Sequence, residues 1–341
     1  MNFHVKDSGD VEKNHKEHLN DVVNIDNVMD VDFSDIVGLD SIKDLLRECV
    51  VLPIKYPELF AGRNLFKTFL LFGAPGTGKT MITKALVGEV NKIMEPGISL
   101  MSFSIINLMR EWHYSASEFF VTLLDVAIEM APVVIHIDDI DDLCRRPSLL
   151  IRQFKTEFLI FIHNLPAAGI YIFGETSVPW QIDASVRKRF VRRLMFPLPN
   201  VKERITLFNM NMKNVTNNLT EDEFQQIATE TNGLTPADIF MLCRDASMEQ
   251  VRICFSSTHW KQVTGKTPKG EERDDMLTPC SPQDPQVIEM ILTDIEDGDR
   301  LLPPLIGIQD FSKLLSTFPS FISERELNDI EQFNKDFGPE A

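Results

Sequence analysis

One eight-residue segment constrains the fold of this chain more than any other feature. It reads Gly73-Ala74-Pro75-Gly76-Thr77-Gly78-Lys79-Thr80, and it follows the apolar run 69–72 and precedes a helical pattern. Glycines in such a segment let backbone N–H groups turn toward phosphate oxygens, and the start of the helix adds positive potential. The spacing therefore predicts a strand, a phosphate-binding loop and a helix, in that order.

Two side chains of the motif carry specific chemistry. Lys79 is placed to reach the β- and γ-phosphates of a nucleotide, and the hydroxyl of Thr80 is placed to ligate Mg²⁺. The alternative is a glycine-rich turn that binds nothing. The complete motif in its correct context favours a binding loop, so ATP and Mg²⁺ are the predicted cofactors.

A second apolar run ends in acids, as a nucleotide site requires. The run 133–137 is followed by Asp138 and Asp139. Asp138 is predicted to hold the Mg²⁺ shell, and Asp139 lies where a second carboxylate can orient the attacking water. The alternative is an acidic loop, because Asp141 and Asp142 continue the run. His136, inside the apolar run, is predicted to be a packed core residue.

The order of apolar runs and helical patterns indicates an α/β fold with a parallel sheet. A large nucleotide-binding domain is predicted over 33–198, where four apolar runs alternate with helical patterns. Residues 199–341 are predicted to form a smaller helical domain with a β insertion at 260–303 and a C-terminal helix at 323–338. The polar segment 1–32 is predicted to be a disordered tail.

Charge and composition exclude several classes of partner. The chain has 34 Lys and Arg against 51 Asp and Glu, a formal charge of -17. This charge opposes nonspecific binding to nucleic acids or to acidic membrane surfaces. No apolar run is long enough to span a bilayer, and the five cysteines lack metal-ligand spacing. We therefore expect a cytoplasmic protein without a transmembrane segment.

Five segments in order resemble AAA ATPases of the meiotic clade. They are Asp35-Ile36-Val37-Gly38-Leu39, Leu52-Pro53-Ile54-Lys55, the phosphate loop, Ile137-Asp138-Asp139-Ile140-Asp141 and Pro179-Trp180 through Arg193. The clade includes the microtubule-severing katanins and spastins and the vacuolar protein sorting ATPase that disassembles ESCRT-III. Residues 274–282 and the ending Asp336-Phe337-Gly338 resemble the β insertion and terminal helix of the sorting member. Severing enzymes lack that insertion, so severing is disfavoured.

The resemblance implies roles for further residues. Arg189 corresponds to an arginine finger that reaches the γ-phosphate of a neighbouring subunit. Arg192 is either a second finger or part of an ordinary ion-paired face. Trp112 corresponds to an aromatic residue that grips substrate in the central pore. The alternative is a buried core tryptophan, but its polar neighbours indicate a loop. Asp35 and Gly38 join the nucleotide-binding set.

The resemblance also implies a working assembly. The chain is expected to form a homo- or mixed hexamer that threads ESCRT-III-like proteins, peripheral to endosomal membranes through protein partners. A Vta1-like cofactor is implied on the β insertion. The 32-residue tail is too short for the family's amino-terminal microtubule-interacting-and-transport bundle, so autonomous recruitment to ESCRT-III is not expected.

Two departures from the family pattern concern hydrolysis. Asp139 stands where the family has Glu, and its carboxylate is one methylene shorter. Ser177 stands where the family has the sensor asparagine, so a hydroxyl replaces an amide. Misplacement of a reactive group by about 1 Å costs on the order of a hundredfold in rate. The alternative function is therefore a hydrolysis-weak, ATP-binding regulatory subunit of related rings.

Overall fold

The structure, a computed structural model, describes residues 8–26, 28–145, 148–166, 169–267, 271–318 and 322–338. The contacts divide the chain into two compact units. The first comprises Met1–Leu198 and Ile322–Ala341, and the second comprises Pro199–Phe321. The second unit is therefore inserted, in sequence, into the first.

The first unit alternates strands and helices over most of its length. In chain order they are α1 (Ser8–Val22), β1 (Asn24–Asp26), α2 (Asp40–Leu46), α3 (Leu52–Lys55), β2 (Thr68–Gly73), α4 (Lys79–Ile93), β3 (Ser99–Ser104), α5 (Ile105–Glu111), α6 (Ala116–Glu129), β4 (Val133–Asp138), α7 (Asp142–Arg145), α8 (Leu149–His163), β5 (Ile170–Thr176), α9 (Ala184–Arg187) and β6 (Arg192–Phe196).

The second unit is mostly helical, and the chain then returns to the first unit. Its elements are α10 (Val201–Met212), α11 (Glu221–Glu230), α12 (Pro236–Ser256), β7 (His259–Lys266), β8 (Glu272–Pro279), β9 (Ile288–Glu289) and α13 (Ile308–Leu315). The last helix, α14 (Glu324–Phe337), belongs to the first unit.

Among the described residues, one six-stranded sheet runs through the first unit in the order β1-β3-β4-β5-β2-β6. β3, β4, β5, β2 and β6 are parallel, and β1 pairs antiparallel with β3. The sheet carries apolar side chains on both faces, which is why the runs read as continuously apolar. In β2, Phe69 and Leu71 join the core around α4, and Leu70 and Phe72 join the opposite core. The predicted α/β class with a parallel sheet is confirmed.

The amino-terminal segment corrects the prediction of a disordered tail. Within its described residues, α1 packs against α5 and α6, and β1 extends the sheet. Leu19, Val22 and Val23 are buried in the main core of the first unit. Their spacing of i, i+3, i+4 places them on one side of a helix. Tertiary contacts therefore order a segment whose overall composition indicates disorder.

The carboxy-terminal helix also differs from its predicted place. Its predicted bounds, 323–338, closely match α14, but the helix packs in the first unit and not in the smaller domain. Phe333 is buried, with its ring centroid 5.1 Å from that of Phe72 on β2. The guanidinium of Arg187 lies 3.7 Å from the centre of the Phe337 ring. Aromatic contacts with the sheet and α9 thus hold the helix.

The described residues of the second unit form two separate hydrophobic cores. Helices α10 to α13 enclose one core around Phe208 and Phe311, whose rings meet edge to face. Strands β7 to β9 form an antiparallel sheet in the order β8-β7-β9, with Trp260 fully buried beneath it. The sheet occupies the region in which the sequence indicates a β insertion. Thr235 caps α12, and Pro236 occupies its first turn, where a missing N–H is tolerated.

The N-terminal helix supplies the first testable prediction. We expect Leu19→Ala to lower the free energy of unfolding by about 2–5 kcal/mol, because Leu19 is fully buried. Denaturant unfolding measures the change, and Asn20→Ala, on the exposed side of the same helix, is the matched control. Equal stability of the two variants would show that residues 8–26 do not contribute to the fold.

Candidate functional site

The phosphate loop joins β2 to α4 at one end of the sheet. Gly76 and Gly78 have φ angles of 78° and 95°, a backbone region that favours glycine. Gly73 lies so close to β6 that an added Cβ would come within 2.6 Å of the Phe196 carbonyl oxygen. α4 begins at Lys79 without a side-chain cap, so its first N–H groups are available to an anion.

Lys79 is held inside the loop. Its side chain is 3% exposed, and its Nζ donates to the carbonyl oxygens of Gly73 at 3.1 Å and Ala74 at 3.0 Å. Burial lowers the pKa of Lys79, and the acids Glu175, Asp138 and Asp139 oppose that shift. The loop therefore presents a buried cation whose charge nearby carboxylates support.

Asp138 and Asp139 stand at the end of β4, as the sequence predicts. The backbone N–H of Asp139 donates to Asp138 Oδ1 at 2.9 Å. Asp139 has a φ of 48°, in the left-handed region, so the chain turns sharply directly after the strand. Loss of solvent to the surrounding protein, then the like charge of Asp138, raises the pKa of Asp139, although part of its surface is exposed.

The end of β5 adds a hydroxyl group to the same place. Lys79 Nζ donates to Ser177 Oγ at 3.3 Å, across 98 positions of sequence. Parallel pairing of β5 with β2 brings the two residues together, because both follow the carboxyl ends of adjacent strands. Ser177 therefore lies next to Lys79, and its predicted part in hydrolysis stays a prediction.

Sequence reasoning missed a buried acid at the centre of this site. Glu175, on β5, accepts a hydrogen bond from Thr80 Oγ1 at 2.8 Å through its Oε2. The same oxygen lies 3.0 Å from His136 Nε2 on the adjacent strand β4. Burial acts to raise the pKa of Glu175, but His136, Lys79 and Thr80 outweigh it and hold the pKa below its ordinary value. The available signal was an ionisable residue within each of two apolar strands.

The donor groups near Thr80 suit a hard divalent cation. Thr80, His136 and Asp138 line one cavity of about 230 Å³, whose other walls include the hydroxyl groups of Ser102 and Ser104. Hydroxyl and carboxylate oxygens are the ligands that Mg²⁺ prefers, and Mg²⁺ commonly keeps several waters beside its few protein ligands. Thr80 and Asp138 therefore fit the cation that the nucleotide requires.

The two arginine candidates lie toward the other end of β2. The carbonyl oxygen of Arg189 accepts a hydrogen bond from Thr68 Oγ1 at 2.7 Å, at the first residue of the strand. Arg192 pairs in register with Phe69, and its guanidinium lies 4.0 Å from the centre of the Phe66 ring. In the described part of the chain, the Arg189 side chain has no hydrogen bond or ion pair.

Among the described residues, no hydrogen bond or ion pair joins Asp35 or Gly38 to the phosphate loop. Asp35 ends a short 3₁₀ turn, and its Oδ2 accepts from the backbone N–H of Asp32 at 2.9 Å. Gly38 has a φ of 68°, which lets the chain turn into α2. Their predicted part in nucleotide binding stays a prediction.

Trp112 is buried, as the alternative of a core tryptophan predicts. It does begin a loop after α5, as its polar neighbours indicate, but it is only 5% exposed. Its Nε1 donates to the Ser115 carbonyl at 3.0 Å, and its ring meets Phe119 edge to face at 5.2 Å. His15 of α1 lies against Trp112 and Tyr114. In this conformation Trp112 packs as a core residue, and its part in gripping substrate stays a prediction.

Comparisons with protein families agree with this arrangement. The model of the ATPase family associated with various cellular activities (AAA) matches residues 69–198. The AAA+ lid domain matches 221–264, and the Vps4 C terminal oligomerisation domain matches 277–338. The fold and the phosphate loop thus define the class of this protein as an AAA ATPase, which binds and hydrolyses ATP.

Comparison with individual relatives identifies the family within the AAA ATPases. Vacuolar protein sorting-associated protein 4B of Pongo abelii is 38% identical over 320 residues, which cover 91% of this chain and 71% of that protein. Vacuolar protein sorting-associated protein 4A of Homo sapiens is 36% identical over 318 residues with the same coverage. The FIGL-1 AAA domain in complex with ADP matches with a TM-score of 0.73 at 25% identity, over 99% of this chain and 100% of that one. The chain belongs to the vacuolar protein sorting-associated protein 4 family of AAA ATPases.

The burial of Trp112 gives a prediction that separates a core role from a gripping role. We expect Trp112→Ala to lower the free energy of unfolding by about 3–5 kcal/mol, as is typical when a large buried aromatic side chain is removed. Urea unfolding measures it, and Trp180→Ala, at a site 39% exposed, is the matched control. A stability loss no greater than that of the control would contradict the core role and favour the gripping role.

Proposed function

We propose that this protein assembles into a ring and uses ATP hydrolysis to remodel ESCRT-III-type polymers in endosomal or vacuolar sorting. The match of residues 277–338 to an oligomerisation domain supports assembly. The names of the relatives support a role in vacuolar protein sorting. The same carboxy-terminal match favours remodelling over microtubule severing.

The observation that carries the ring proposal is the separation of Lys79 from Arg189 within one chain. β2 comprises the six residues Thr68–Gly73. At about 3.3 Å per residue, its first and last residues lie about 17 Å apart. The Arg189 backbone is bonded to the start of this strand, and the phosphate loop follows its end. An arginine so placed serves a phosphate bound by a neighbouring subunit and not its own.

Within one subunit, we assign each group of the site a part in hydrolysis. Lys79 and the first N–H groups of α4 bind the phosphates, and Thr80 with Asp138 holds Mg²⁺. When bound, the cation would neutralise charge that develops on the phosphate oxygens. Asp139 orients the attacking water, and Ser177 fixes Lys79 from the side of β5.

Membrane recruitment is proposed to act through protein partners. Among the described residues, no helix combines the length and the apolar character needed to cross a bilayer. We place the protein at endosomal membranes through ESCRT-III-like substrates. A Vta1-like cofactor would bind the antiparallel sheet β8-β7-β9, which presents exposed strand residues.

The identity of the residue that follows Asp138 favours a second candidate function. Asp139 combines a short carboxylate with a raised pKa. A water-orienting group that stands too far back leaves nucleotide binding intact and slows hydrolysis. The second candidate is therefore an ATP-holding regulatory subunit in mixed rings.

Arg189 and Lys79 allow a direct test of ring function. We expect Arg189→Ala to lower ATP turnover by on the order of 10³–10⁵-fold, because the charge of the transition state loses its arginine partner. Mixing it with Lys79→Ala should restore part of the turnover, since an intact arginine of one subunit then meets an intact loop of the next. Arg325→Ala, at an exposed site, is the control. Failure of the mixture to regain activity would exclude action between subunits.

Asp139 separates the two candidate functions. We expect Asp139→Glu to raise the turnover number by about tenfold or more with little change in KM, because the longer side chain moves the carboxylate toward its water. Steady-state turnover measures it, with Asp125→Glu, at an exposed position of α6, as the control. An unchanged rate would place the limit on hydrolysis elsewhere.

A further inference from the structure

Glu175 is a buried carboxylate that the proposed hydrolysis does not use. It is 8% exposed and lies in β5, a strand whose residues are all buried. An ionised carboxylate in such a place requires partners, since desolvation of an unpaired charge is costly. The structure supplies three: Thr80, His136 and Lys79.

The contact with Thr80 bears on cation binding. A hydroxyl oxygen that ligates a cation keeps its lone pairs for the metal and must donate its hydrogen elsewhere. Thr80 Oγ1 donates to Glu175 Oε2 at 2.8 Å. Glu175 therefore fixes the orientation of a side chain that we assign to the Mg²⁺ shell.

The contact with Lys79 bears on phosphate binding. Glu175 Oε1 lies 3.9 Å from Lys79 Nζ, and both side chains are largely buried. At this separation and in this environment, opposite charges interact strongly. Glu175 thus offsets part of the positive charge that the loop offers to phosphates, and a divalent cation restores that charge.

His136 holds the carboxylate in place from the neighbouring strand. Its Nε2 lies 3.0 Å from Glu175 Oε2, and the ring is buried. The strand register pairs His136 with Phe173, two residues before Glu175, so the side chains meet on the same face of adjacent strands. The carboxylate is therefore fixed between His136 and Thr80.

We propose that Glu175 is a positioning residue that couples nucleotide binding to the divalent cation. It weakens binding of a nucleotide without metal, and the divalent cation removes that penalty in the metal–nucleotide complex. This inference rests on the proposed Mg²⁺–ATP site. The competing explanation is a structural ion pair with His136 that has no effect on the metal dependence.

The test measures nucleotide affinity and not activity. Fluorescent N-methylanthraniloyl-ADP is titrated with excess Mg²⁺ and again with EDTA, for the wild type and Glu175→Gln. We expect the variant to bind the nucleotide about tenfold more tightly in EDTA and with nearly the same affinity in Mg²⁺. The ratio of the Kd in EDTA to the Kd in Mg²⁺ therefore falls about tenfold. Asp125→Asn, which removes an exposed carboxylate from the same unit, should leave the ratio unchanged.

A second variant guards against misfolding. Glu175→Gln alters the buried partner of His136, whereas His136→Phe with Glu175→Ala replaces both partners by apolar groups, which is less disruptive. The double variant should show the same tenfold fall in the ratio. His136→Phe alone keeps the carboxylate and should keep a ratio within about threefold of the wild type.

The outcomes distinguish this inference from the proposed function. If Glu175→Gln and the double variant change both affinities by the same factor, or change neither, Glu175 is structural and the inference is overturned. Lys79→Ala is the blank for the loop. If it binds as tightly as the wild type, or if the wild type does not bind, the proposed nucleotide site itself fails and the inference fails with it.

Discussion

Parallel pairing of β4, β5 and β2 brings three strand ends to one edge of the sheet, and the chemistry of the first unit depends on this meeting. The loop with Lys79 follows one end, Asp138 closes the second, and Ser177 follows the third. These residues are far apart in sequence, and strand register alone makes them neighbours. A parallel sheet concentrates its ligand-binding groups at the carboxyl edge in this way.

Burial of both faces of the sheet keeps that edge in register. Phe69 stacks on Phe173 on one face, and Phe72 meets Phe333 on the other. Each such side chain contributes about 1.5–3 kcal/mol by its removal from water. The polar groups of the site sit at the end of this apolar structure, where an unpaired charge is costly. Lys79, Glu175, Thr80 and His136 satisfy one another, which makes the site a connected network.

The sequence predicts those parts of the fold that local signals determine. The phosphate loop, the parallel α/β class and the bounds of α14 all follow from motif context or helical period. The sequence does not predict that the amino-terminal segment is folded. Leu19, Val22 and Val23 are buried only because α1 packs against α5 and α6. The composition of residues 1–32 predicts disorder because it takes no account of these tertiary contacts.

In the site, too, some residues are recognisable from local motifs, and others depend on contacts between residues far apart in sequence. Lys79, Asp138 and Ser177 are recognisable from motifs, and the structure brings them together. Trp112 has polar neighbours in sequence, but its burial depends on Phe119 and on the amino-terminal helix. The Glu175–His136 pair is visible in sequence only as two unexplained polar residues in apolar strands. Their partnership requires the register of β4 on β5.

The sequence position of α14 has a consequence for how this chain is made. The first unit is interrupted after Leu198, and the helix that completes it follows the whole second unit. During synthesis from the amino terminus, Phe72 therefore lacks its contact with Phe333 until the last described helix has left the ribosome. The second unit, whose residues are contiguous, has no such delay. The last helix of the nucleotide-binding unit is thus synthesised after the whole second unit, and until then the sheet face around Phe72 lacks this cover and exposes apolar surface.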